Sequence, residues 1–104
     1  MDNRCVDAIL REISSEKADS LGRAGSTLEA GLAELRRFDA ERDLANAATQ
    51  EVRRRLVWRI ARLVTNFLVQ REACGLRDPD YVFAFYGVPQ DVIAQLGRRV
   101  RSDL

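Results

Sequence analysis

The chain has 104 residues with 17 basic and 16 acidic side chains, a formal net charge of +1, and 46% hydrophobic and 32% charged residues. That composition suits one globular domain and excludes a disordered chain, while the near-zero charge balance argues against nucleic-acid binding by bulk charge. There is no histidine, so the commonest general base and the commonest metal ligand are both missing.

The first segment reads as one long helix. At 100° per residue from Cys5, an arc of roughly 140° collects Val6, Ile9, Leu10, Ile13, Leu21, Ala24, Leu28, Gly31, Leu32, Leu35 and Phe38. The spacing predicts a helix over about 5–39, roughly 50 Å long. Gly25, followed by the capping box Ser26 and Glu29, offers a break. The stripe keeps its phase across that point, so a continuous helix is favoured, bent there if at all. Gly22, Ala24, Gly25, Ala30 and Gly31 are small enough to mark close helix crossings.

A turn is expected over about 40–44, where Asp39, Asp43, Asn46 and Thr49 offer N-cap oxygens. A second helix follows over about 45–74. Val52, Leu56, Val57, Ile60, Leu63, Val64, Phe67 and Leu68 share one face, and Arg55, Arg59, Arg62 and Asn66 share the other. Gly75 is a terminator. Asp78-Pro79 opens a short helix over about 79–86, which Gly87 ends, and another is expected over about 89–97. Residues 98–104 read as a tail with no evident anchor.

No apolar run suits a signal peptide, and Leu56 to Val69 is broken by Arg59 and Arg62 and is too short for a bilayer span. A soluble cytoplasmic protein is expected. Cys5 and Cys74 are too few for a disulfide scaffold or a zinc site. A hairpin turning near residue 40 would bring them together at its open end, with reduced thiols favoured over a bridge. Residues 1–50 carry a net charge of −3 and residues 51–104 of +4, which suits antiparallel pairing of the two halves.

Three stretches together carry a resemblance: Leu21-Gly22-Arg23-Ala24-Gly25, Gln70 to Asp78 (QREACGLRD), and Tyr86 to Gly97 (YGVPQDVIAQLG). In this order they resemble a family of small, uncharacterised bacterial proteins, classed only as a domain of unknown function. The resemblance covers about Ile9 to Gly97 and implies a soluble helical domain, with no activity or ligand to carry over.

Arg53, Arg54, Arg55, Arg59 and Arg62 surround Trp58. Such a run can bind phosphate. The favoured reading is a solvated helix face, with Glu51 pairing to Arg54 or Arg55 and with Arg54 and Arg62 flanking the Trp58 ring. Trp58, Thr65 and Val69 lie off the main apolar arc and suggest a second contact surface. Tyr81, Phe83, Phe85 and Tyr86 form either a binding hot spot or, as favoured, the anchors of a short helix.

Phe83 to Leu96 has a faint helix-turn-helix pattern, spoiled by bulky Phe83 before the turn and by Asp91 where phosphates would lie. Glu12, Glu16 and Asp19 read as a solvated face, because di-metal bundles need histidine. No phosphate-cradling loop or nucleophile motif is present, and enzymatic activity is not expected.

The expected fold is all-α: a long antiparallel helical hairpin with two short C-terminal helices near its open end. By its length, the stripe on the first helix is expected to outrun the cover those short helices can give. A homodimer is therefore expected, pairing two hairpins into a four-helix bundle. Its candidate interface is Leu21, Ala24, Gly25, Leu28, Gly31, Leu35, Trp58 and Val69. The candidate basic surface is Arg55, Arg59 and Arg62. No catalytic, cofactor or metal residue is assigned. The function expected is a non-enzymatic interaction or regulatory module. The alternative is a nucleic-acid-associated protein using the Arg53 to Arg62 face with Arg98, Arg99 and Arg101. A weaker option is an apolar ligand in the dimer groove.

Overall fold

The computed structural model describes the backbone of residues 3–102 and the side chains of residues 15–97. Four helices follow one another: α1 (Asn3–Glu41), α2 (Ala47–Ala73), α3 (Pro79–Tyr86) and α4 (Gln90–Ser102). The fold is all-α, with no strand among the described residues.

α1 runs unbroken through Gly25, which is helical and has no positive φ. Its lack of a side chain serves packing. A Cβ there would sit 3.2 Å from both Phe67 Cε1 and Tyr86 Oη, so α2 and α3 both press close at this point. Gly31 plays the same part against Leu63 and Ile60. Gly25 and Gly31 mark close crossings and Ala24 is buried, with helices of the same chain as partners, whereas Gly22 and Ala30 are exposed and mark none.

Local chemistry sets the other ends. The Asn46 side chain accepts from the N–H groups of Ala48 and Thr49 and starts α2. Gly75 at φ +85° turns the chain back after it. The Asp78 carboxylate accepts from Tyr81 N–H, and Pro79 occupies the first turn of α3. Gly87 at φ +63° ends it, and Arg36 donates to the exposed Tyr86 carbonyl at 3.0 Å.

α4 does not stop at Gly97 as expected. That glycine has no positive φ, and the helix continues to Ser102 through much of the expected tail. A glycine ends a helix only where the backbone swings into the left-handed region, and here it does not. The side chains of Arg98, Arg99 and Arg101 lie outside the described residues.

Cross-links between α1 and α2 fix their antiparallel register. Ser20 meets Gln70, Glu34 meets Arg59, and Asp39 meets Arg53. The reversal falls later than expected, after Glu41, so every α2 residue pairs further along α1. Cys74 lies beside Lys17, with Sγ 4.0 Å from its carbonyl oxygen. Cys5, whose side chain lies outside the described residues, is about 18 Å further along the helix axis from Lys17. The expected meeting of Cys5 and Cys74 within one chain is therefore corrected by the register.

The short helices also sit elsewhere than expected. α3 begins at the open end, but the chain then runs back along the hairpin. α4 packs on α2 with Asp91 bound to Arg53, near the turn. Val82, Val88 and Val92 close the core over Leu28, Leu32, Leu35, Ile60 and Val64. Leu28, Leu32 and Leu35 are at most 2% exposed within one chain, so α2 and the short helices together bury this part of the stripe without a second copy.

Candidate interaction surface

The proposed interface residues divide into two groups. Ala24, Gly25, Leu28, Gly31 and Leu35 are buried and Leu21 half-buried, all in contact with the chain's own core. As an interface between copies these six are corrected: α2, α3 and α4 already occupy that face. Trp58 and Val69 stay exposed on the outer side of α2, about 16 Å apart along its axis.

The arginine run is largely spoken for. Arg53 grips Asp39 through two nitrogens, at 2.7 and 3.1 Å, and donates to Asp91 at 2.6 Å. These two carboxylates, Asp39 first, push the already high guanidinium pKa higher still. Arg54 and Arg55 pair with Glu51, and Arg59 pairs with Glu34 on α1. Of the two arginines expected to flank Trp58, only Arg62 does so, 5.3 Å from the ring centroid. Arg55, Arg59 and Arg62 do share an exposed face. Two of the three are neutralised by carboxylates, which lowers their pull on phosphate.

The aromatics of α3 are stacked outward from the core in sequence. Buried Phe67 of α2 meets Tyr86 edge-on, with centroids 5.3 Å apart and planes at 83°. Tyr86 meets Phe85 edge-on at 5.0 Å. Phe85 stacks on Tyr81, one helical turn earlier, at 5.8 Å and 18°. Arg71 lies over both Phe67 and Tyr81, at 5.9 and 5.5 Å. Both readings of the cluster apply to different members. Phe83 and Tyr86 anchor the helix, while Tyr81 and Phe85 are 54% and 66% exposed. These two rings form an exposed aromatic ledge with a cation at one side.

Beside the ledge is a cleft of about 300 Å³ lined by Leu68, Arg71, Glu72, Leu76, Arg77, Asp78 and Pro79. Leu76 is itself 44% exposed. Sequence reasoning missed Arg71, although its spacing of four from Phe67 was visible. It also missed Arg36, for which no local pattern exists because its partner is 50 residues away.

Asp91, at the start of the would-be recognition helix, is paired with Arg53 and stays exposed. Among the described residues no group of three or more Cys, Asp or Glu side chains is placed to hold a metal ion. No described helix is long and apolar enough to cross a membrane.

No curated protein and no solved structure matches the chain. One family does, along almost the whole length. Through the match over residues 2–103, the chain belongs to a family of unknown function, DUF6665.

Proposed function

We propose that this chain is a non-enzymatic protein-interaction module that works as a homodimer in the cytoplasm. The observation that carries the reading is the Tyr81–Phe85 ledge. Two stacked aromatic rings stand in solvent and are braced from beneath by Tyr86, Phe67 and Arg71. Aromatic and arginine side chains packed against one another on a surface are the residue types that dominate protein interfaces. Leu76 and the adjoining cleft extend the apolar area. Exposed Trp58 and Val69 add a second apolar surface on the outer side of α2.

Support for self-association comes from α1, which outruns its own partner helix. α2 ends level with Lys17, and α1 continues to Asn3. The test of the homodimer is the solution mass, by size-exclusion chromatography with light scattering over a range of concentrations. A mass twice that of the chain is expected at the higher concentrations. A monomer throughout would remove the homodimer from the reading.

The nucleic-acid alternative draws on the arginine face. The carboxylate partners of Arg53, Arg54, Arg55 and Arg59 weigh against it.

A further inference from the structure

Arg71 differs from most arginines of α2. Arg53, Arg54, Arg55 and Arg59 each meet a carboxylate. Arg71 has no carboxylate partner among the described residues, although it is half-buried. Arg62 shares this lack, but on the exposed Trp58 face. The Arg71 guanidinium lies over two rings, 5.9 Å from the centroid of Phe67 and 5.5 Å from that of Tyr81. A ring face attracts the cation without supplying the oxygen acceptors that its N–H groups are shaped for. Those donors stay available to an anion, at a site where partial burial makes a charged partner worth more than in open water.

Apolar surface gathers at the same place. Leu68, Leu76 and Pro79 line the cleft with Arg71. Tyr81 lies beneath the guanidinium, and Phe85 stacks on Tyr81. Leu76, Tyr81 and Phe85 are all exposed. At about 300 Å³ the cleft is at the small end for an enclosed ligand. An occupant therefore continues onto the ledge, as an extended peptide does.

The charges around Arg71 narrow the occupant's chemistry. Arg77 also lines the cleft, as do Glu72 and Asp78. Asp78 is committed to capping α3, where it accepts from Tyr81 N–H at 3.3 Å. Glu72 follows Arg71 directly on α2, and adjacent helical residues do not face each other. Asp80 is exposed next to Tyr81 in sequence. These carboxylates repel a polyanion such as a run of phosphates. A single carboxylate beside an apolar side chain matches both parts of the surface. The side chain packs on Leu76, Tyr81 and Phe85, and the oxygens take the Arg71 fork.

We infer that the ledge and cleft receive a segment of a partner protein in which an Asp or Glu adjoins an aromatic or other large apolar residue, with Arg71 binding the carboxylate. This rests on the interaction module proposed above and names the chemistry of its partner.

The test follows the backbone amide signals of the isotope-labelled full-length protein by NMR, during titration with N-acetyl-Asp-Phe-amide and with N-acetyl-Asn-Phe-amide. The probes differ only in the carboxylate. Asp-Phe is expected to move the signals of Leu76, Tyr81 and Phe85, and to bind at least about tenfold more tightly than Asn-Phe. Arg71→Gln is expected to bind both probes equally and weakly. The comparison of probes on the unaltered protein decides the matter even where that variant does not fold. Equal binding of both probes overturns the carboxylate recognition and leaves the ledge standing as an interaction surface. No movement of these signals at millimolar concentrations of either probe overturns the inference and the ledge with it. Phenyl phosphate binding more tightly than Asp-Phe overturns the choice of a carboxylate. Signals of Tyr81 and Phe85 that move with protein concentration alone place a second copy on the ledge and overturn the peptide as its occupant.

Discussion

Arg53, in the second turn of α2, holds Asp91, the second residue of α4, at 2.6 Å. The same guanidinium grips Asp39 near the end of α1. One side chain therefore ties three helices together at the turn end of the hairpin. Its fork geometry suits a bidentate carboxylate and leaves a further donor for the second one.

Replacing Arg53 with Ala should loosen α4 more than the hairpin itself. The three groups are partly solvated, so the expected cost is about 1 kcal/mol, or a fall in Tm of about 4–8 °C for a domain of this size. Arg53→Lys should recover only part of it, because an ammonium cannot fork onto Asp39. Thermal unfolding followed by circular dichroism checks both. Hydrogen exchange should locate the loss in residues 90–97, and an even loss along α1 and α2 would contradict the assigned role.

The core makes a sharper demand. Leu28 is fully buried among side chains from the other helices. Leu28→Ala should cost about 2–5 kcal/mol, through lost transfer energy and a residual cavity. Chemical denaturation at constant m-value measures it. Phe85→Ser, on the exposed ledge, should change stability by less than about 0.5 kcal/mol. A large loss at Phe85 would mean that the ring is a structural anchor and would weaken the interaction reading.

The two long helices and the apolar residues between them were legible because a 3.6-residue period over more than thirty positions has few other solutions. The Asp78 cap and the Gly87 stop were legible for local reasons, while Asn46 was one of four candidate caps. The register was not. A turn placed a few residues early, near residue 40, shifts every cross-helix pair, and Cys5–Cys74 was the casualty. The cover over Leu28 and Leu35 was also hidden, because periodicity shows that a face is apolar but not which element lies on it. Val82, Val88 and Val92 sit in segments too short to declare a face of their own. Gly97 and Gly87 look alike as letters, and only the backbone angle separates a helical glycine from a capping one.

Glycines provide a paired test of that distinction. Gly22 is helical with open space around its Cβ position. Gly22→Ala should stabilise the protein by about 0.5–1 kcal/mol, by reducing the freedom of the unfolded chain. Gly87 has φ +63°, and Arg36 Nη2 lies 3.4 Å from where its Cβ would be. Gly87→Ala should destabilise by roughly 1–2 kcal/mol because an L-residue is strained there. Opposite signs are expected in thermal unfolding, and equal signs would refute the conformations assigned to the two sites.

The arginine surface separates the two functional readings through salt dependence. A surface that neutralises several phosphates releases their counterions, so its binding falls steeply as salt rises. Here Arg54, Arg55 and Arg59 already have carboxylate partners, and Arg53 is committed to two. The whole chain is nearly neutral as well. The protein should therefore elute from heparin at low salt and leave duplex DNA unshifted at low ionic strength. Removing Glu34 and Glu51 together, as Glu34→Gln and Glu51→Gln, frees Arg54, Arg55 and Arg59 and should raise the salt needed for elution. Strong retention of the unaltered protein would mean that these ion pairs open for phosphate, and the nucleic-acid reading would replace the one proposed.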